Sequence, residues 1–97
     1  MEESDKLFEA VLHLYSYDEA KRFFSDLFTG KELTDLSQRL QIAILLQKRL
    51  SYRQISKETG ASTTTVTRVN NALKNGSDGL KLALSRLSSI ENNDAVR

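Results

Sequence analysis

The chain has no cysteine, no proline and no tryptophan, and only one histidine among its 97 residues. Without cysteine there are no disulfides, thiolate metal sites or cysteine nucleophiles. With His13 alone, a histidine-built metal site or a histidine-pair mechanism is excluded within one chain. No apolar run is long enough to cross a membrane. The acidic start, Met1-Glu2-Glu3-Ser4-Asp5, lacks the basic and apolar regions of a secretory leader, so a cytoplasmic protein is expected. Missing proline and only four glycines argue against a turn-dense β protein.

A net charge of +1 hides an asymmetry. Residues 1–35 carry four basic against nine acidic side chains, net −5. Residues 36–97 carry ten against four, net +6. A basic half on a nearly neutral chain suggests a polyanionic partner, although a merely solvated charged surface has the same composition.

Apolar residues recur at helical spacing. Leu7, Phe8, Val11, Leu12 and Tyr15 form one stripe; Ala20, Phe23, Phe24, Leu27 and Phe28 a second; Leu33, Leu36, Leu40, Ala43 and Ile44 a third; Leu80, Ala83, Leu84 and Leu87 the last. Ser16-x-x-Glu19, Thr29-x-x-Glu32 and Ser51-x-x-Gln54 fit capping boxes, Ser62 can cap another helix, and Ser77 or Asp78 the last. These signals predict an all-α chain with helices near 3–15, 17–28, 30–49, 52–58, 63–74 and 78–89. Residues 1–89 then form a single helical domain, followed by a disordered polar tail at 90–97. Phe8, Phe23, Phe24 and Phe28 read as core residues.

The segment 51–74 carries the functional signal. Ile55 and Ser56 lie five and four residues before Gly60, and Val66 and Val69 six and nine after it. This spacing is that of a helix-turn-helix: Ile55, Val66 and Val69 fill the wedge, Ser56 allows a close crossing, and Gly60 supplies the positive φ of the turn. Thr63, Thr64, Thr67, Arg68 and Asn71 fall on the outer face of the second helix, with Ser62 at its start. These groups can bond base edges or phosphates, and a threonine methyl can touch thymine. So many threonines give poor helix propensity, which a purely structural helix would avoid. Lys48, Arg49, Arg53, Lys57, Arg68 and Lys74 stand against Glu58 alone, concentrating net +5 on residues 48–74.

The run TTTVTRVNNALK at 63–74, with SQRLQIAILL at 37–46, resembles the tryptophan (Trp) repressor family, especially its shorter YerC/YecD subgroup of bacteria. The resemblance spans roughly residues 20–88. It implies a six-helix intertwined homodimer that binds double-stranded DNA at a palindromic operator. It also implies DNA contacts from Arg53, Ser56, Ser62, Thr63, Thr64, Thr67 and Lys74, with Ser56 standing where repressors carry a lysine. Arg39 and Arg68 match the two arginines that sandwich the indole of bound tryptophan. The pocket otherwise departs from the family. Val69 replaces a glycine that leaves room for the indole, Ala72 replaces a serine at the ligand's polar end, and Asp26 replaces a leucine. The remnant of Arg39, Arg68, Val69 and Ala72 therefore implies no tryptophan corepressor, no cofactor and no small-molecule effector.

The expectation is a sequence-specific, dimeric transcriptional regulator of the repressor type. The competing reading is a helical protein-interaction module that has lost DNA binding. No paired-carboxylate, nucleophile–base or metal-ligand constellation points to an enzyme.

Overall fold

A computed structural model describes residues 2–96 of the chain, with side chains described through Glu91. Among the described residues there are six helices and no strand: α1 (Glu3–Leu12), α2 (Tyr17–Leu27), α3 (Gly30–Gln47), α4 (Tyr52–Thr59), α5 (Thr63–Asn75) and α6 (Gly79–Val96). The fold is all-α, as the apolar periodicity requires.

The caps set the helix starts. The Ser16 hydroxyl accepts from the Glu19 N–H at 3.1 Å, although the Glu19 carboxylate turns to the Tyr15 N–H instead of completing a box with Ser16. Thr29 and Glu32 do pair reciprocally, at 2.9 and 3.1 Å. The bond from the Thr29 N–H, and then one from its side chain, hold the Glu32 carboxyl below its ordinary pKa. Ser51 and Gln54 form a second reciprocal box, at 3.0 and 3.2 Å. Ser62 accepts from the Thr65 N–H at 3.2 Å. Each bond satisfies a donor that helix geometry leaves unpaired.

Two helix ends differ from the sequence expectation. α1 stops at Leu12 rather than near 15, with His13 as its cap and the His13 ring Nδ1 2.7 Å from the Glu9 carbonyl. α6 continues to Val96, through most of the stretch expected to be a disordered tail. That stretch is polar, but after Gly79 it contains neither glycine nor proline to stop a helix; Arg97 lies outside the described residues.

The chain divides within α3 into two units, one reaching Asp35 and one beginning at Leu36. The second contains the core: Ile42, Ala43 and Leu45 of α3, Ile55 of α4, Ala61 of the turn, Val66, Val69 and Leu73 of α5, and Leu84 of α6. Ile42, Ile55 and Val66 are fully buried. The first unit contains no such core, and no residue of α1 or α2 is buried. Phe8 is 61% exposed, while Phe23, Phe24 and Phe28 are half-buried and pack edgewise or tilted on one another at 5.5 Å. The expectation that these four rings form a core is thus not met within this chain. Two short helices are too thin a layer to enclose them.

Four residues in the second unit hold a left-handed backbone or a tight approach, among them Asp78 at φ 68° before α6. Gly60 caps α4 at φ 77°, the conformation foreseen for the turn. Gly76 ends α5, where an added Cβ would collide with the Ala72 carbonyl oxygen. Arg49 ends α3 at φ 64°. Its N–H donates to Leu46 O at 3.0 Å and the Leu50 N–H donates to Leu45 O at 3.3 Å. This is the bond pattern of a Schellman cap, with the half-buried Leu50 folded back against the core. A residue with a Cβ costs roughly 1–2 kcal/mol in this backbone region.

Candidate nucleic-acid interface

The pair α4–α5 is built by burying one side and exposing the other. Ile55 is 0%, Val66 0%, Val69 5% and Leu73 7% exposed, so the expected wedge residues do meet in the core. The α4–α5 connection is Gly60-Ala61-Ser62, with Ala61 buried beneath it. Thr59 ties this turn down: its hydroxyl donates to Ile55 O at 2.7 Å and accepts from the Ala61 N–H at 3.2 Å. The Gln38 amide of α3 donates to the Thr59 carbonyl at 3.1 Å, fixing the turn to the long helix. In the sequence, Gln38 stands out only within the run SQRLQIAILL that carries the family resemblance. Its amide spacing to Thr59 is a tertiary contact that periodicity does not encode.

With the core face fixed, helical geometry leaves Thr63, Thr64, Thr67, Arg68, Asn71, Ala72 and Lys74 exposed along α5. Arg53 and Lys57 are exposed on α4. Among the described residues, none of Arg53, Lys57, Arg68 and Lys74 is in an ion pair. Their charge is therefore presented to solvent uncancelled, with Glu58 as the one acidic residue between positions 48 and 74.

Individual hydroxyls differ in what they offer. Thr63 and Thr64 have no side-chain partner among the described residues. Thr67 donates to Thr63 O at 2.8 Å, which leaves its lone pairs and methyl outward. Ser62 is committed to capping, within 3.1 Å of the Thr65 hydroxyl as well as bonded to its N–H. The Asn71 side-chain oxygen accepts from Asn75 at 2.7 Å, leaving its own amide protons available.

Ser56 departs from its expected role. Its hydroxyl is buried and has no hydrogen-bond partner, so that oxygen is not offered to an external ligand. The small side chain serves the close helix crossing, as its position before the turn also suggested. Ser56 thus belongs with the packing of the α4–α5 crossing.

The pocket remnant is divided. Arg39 on α3 and Arg68 on α5 are exposed, Ala72 is exposed, and Val69 is part of the core. Two clefts, of about 210 and 190 Å³, are lined by other residues: Ile44, Gln47, Lys48, Leu84, Leu87, Ser88 and Glu91 in one, and Leu46, Gln47, Asn70, Leu73, Lys74 and Lys81 in another. Among the described residues, no group of histidine and acidic side chains is placed to hold a metal ion, and no helix is long and apolar enough to cross a membrane.

The family model for the Trp repressor protein matches residues 2–88. The chain belongs to the Trp repressor family. It is 43% identical over 89 residues to YerC of Bacillus subtilis strain 168, described as an uncharacterized protein, across 92% of this chain and 86% of YerC. It is also similar to the crystal structure of a TrpR-like protein from Eubacterium eligens ATCC 27750. That match has a TM-score of 0.82 and 43% identity, and covers 87% of each chain. The overall fold is thus shared with that TrpR-like protein over most of both chains.

Proposed function

We propose that this protein is a homodimeric DNA-binding transcriptional regulator of the repressor type. Its reading head is the helix-turn-helix at residues 51–74, and it works without tryptophan or another corepressor. The observation that carries this reading is the split of α5. Val66, Val69 and Leu73 anchor the helix in the core, while Thr63, Thr64, Thr67, Arg68 and Asn71 stand exposed beside unpaired cations. Family membership supports a regulator rather than an enzyme.

In this reading the head enters the major groove with the N-terminal part of α5 foremost. Arg53, Lys57 and Lys74 meet phosphates, which sets register and gives affinity without sequence information. Thr63, Thr64, Thr67 and Asn71 address base edges, with Arg68 reaching either an edge or a phosphate. Ser62 acts on the interface only by holding the start of α5. A second protomer supplies the second half-site, so the operator is palindromic. Occupying that operator is what represses.

The case against tryptophan rests on Val69 and Ala72. Val69 is a wedge residue inside the core rather than an open floor, and Ala72 has no hydroxyl for a ligand's polar end. A ligand shifts DNA affinity only if it binds one state better than the other, and this remnant offers little to bind.

The test selects bound duplexes from a random-sequence pool and measures affinity for the winners against salt. A dimer neutralising about six phosphates gives a log–log slope of roughly −5. Palindromic winners and a steep slope are the expected result. A flat salt response with no enriched sequence favours a protein-interaction module instead. Titration with tryptophan in a calorimeter should show no heat of binding and no change in operator affinity.

A further inference from the structure

We infer that Arg49, at the junction of α3 and α4, is an additional phosphate contact of the reading head; the inference rests on the DNA-binding reading above. Three observations meet at this residue. The backbone is left-handed, φ 64°, in a Schellman cap whose bonds are both made. Glycine is the residue that such a cap favours. The same chain uses glycine for the equivalent left-handed cap of α4, at Gly60. Among the described residues, the other non-glycine with positive φ is Asp78. Aspartate is one of the few side chains that tolerate this region, so Arg49 alone keeps a long side chain there.

Nothing within the protomer accounts for that side chain. Arg49 is exposed and forms no hydrogen bond or ion pair with a described side chain. Its charge is not needed to complement the C-terminal end of α3, because Lys48 already places a cation there. What the position does offer is proximity. Arg49 lies two residues before Ser51, the N-cap of α4, and four before Arg53. With Lys48 it extends the exposed cations of α4, Arg53 and Lys57, upstream of the helix pair. The left-handed turn is the point where the chain leaves the long helix and enters the head. A guanidinium fixed at that turn can bracket a phosphate with two N–H donors, which Lys48 cannot do.

Arg49→Gly separates folding from binding because the two effects have opposite signs. The substitution relieves the left-handed strain and removes the contact. The expected result is a thermal midpoint raised by several degrees together with weaker DNA binding. Phosphate contacts are sequence-independent, so a fluorescent mixed-sequence duplex of roughly two helical turns is a sufficient probe. With two copies per dimer, the log–log salt slope should become shallower by about 1.8, and the wild-type advantage should shrink about twelvefold between about 50 and 200 mM salt. Arg49→Lys keeps the charge and the strain; it should retain the wild-type slope and gain no stability. Arg53→Ala is measured alongside. If Arg49→Gly binds like wild type while Arg53→Ala is weakened, the Arg49 contact is overturned and the DNA reading stands. If Arg49→Gly gains no stability, the strain argument is overturned. If wild type fails to bind the duplex at low salt, the DNA-binding reading falls and takes this inference with it.

Discussion

At the scale of single residues, position decides whether a polar group is functional or structural. Ser56 and Thr63 are both hydroxyl residues of the α4–α5 pair, yet one oxygen is buried without a partner and the other is open to solvent. An unpaired buried hydroxyl opposes folding, since it loses water and gains no bond. Ser56→Ala should therefore stabilise the protein by about 1 kcal/mol and leave DNA affinity unchanged. Denaturant melts and duplex titrations check both halves, and a loss of affinity would restore Ser56 as a contact. Gly60 gives the opposite sign. Nothing stands within 4 Å of where its Cβ would be, so space does not forbid alanine. The left-handed φ of 77° does. Gly60→Ala should cost about 1–2 kcal/mol, from backbone strain alone. A cost near zero in a urea titration would mean that the turn relaxes out of the left-handed region.

At the scale of the element, α5 combines poor intrinsic helicity with a strong cap and a strong core face. Threonine loses side-chain freedom in a helix, and Thr67 bonds back to the Thr63 carbonyl rather than outward. Thr67→Ala should raise stability by about 0.3–0.7 kcal/mol through propensity. It should also relax operator preference by about 1–3 kcal/mol at one base position. Stability and specificity measured on the same variant test this, and a variant that is both more stable and equally selective would make Thr67 a bystander. The elements also show what a sequence can and cannot reveal. Ser16, Thr29, Ser51 and Ser62 marked four helix starts because a cap is a local interaction, written within three residues. The end of α6 lies beyond the expected boundary, since polarity alone does not stop a helix where no breaker is present. The exposed face of α5 was legible because the buried valines fix its phase. Gln38 reaching Thr59, and Arg49 in a left-handed cap, were not legible. The first contact joins residues 21 apart, and the second uses a side chain where composition leads one to expect glycine.

At the scale of the whole molecule, the first 35 residues present a problem that one chain does not solve. Phe8, Leu12, Tyr15, Tyr17 and Leu27 are 61, 78, 83, 82 and 54% exposed, and no residue of α1 or α2 is fully buried. Large apolar side chains exposed in this number are what an interface would cover, and a small chain gains most from sharing its core. A second copy is the partner that the family resemblance implies, and closed symmetric dimers are the commonest assembly. If the two protomers fold only together, unfolding is also dissociation. Each tenfold dilution then lowers stability by about 1.4 kcal/mol and the thermal midpoint by roughly 3–6 °C. The apolar surface gives a second readout. In a monomer, Leu12→Ser at a side chain 78% exposed would fall within about ±0.5 kcal/mol. If a partner covers Leu12, the same change removes buried apolar area and should cost about 2 kcal/mol or more, with loss of dimer at low concentration. A monomeric mass by light scattering, together with a melting point indifferent to dilution, would overturn the dimer. It would also remove the geometric reason for a palindromic operator, because a single head reads a single half-site.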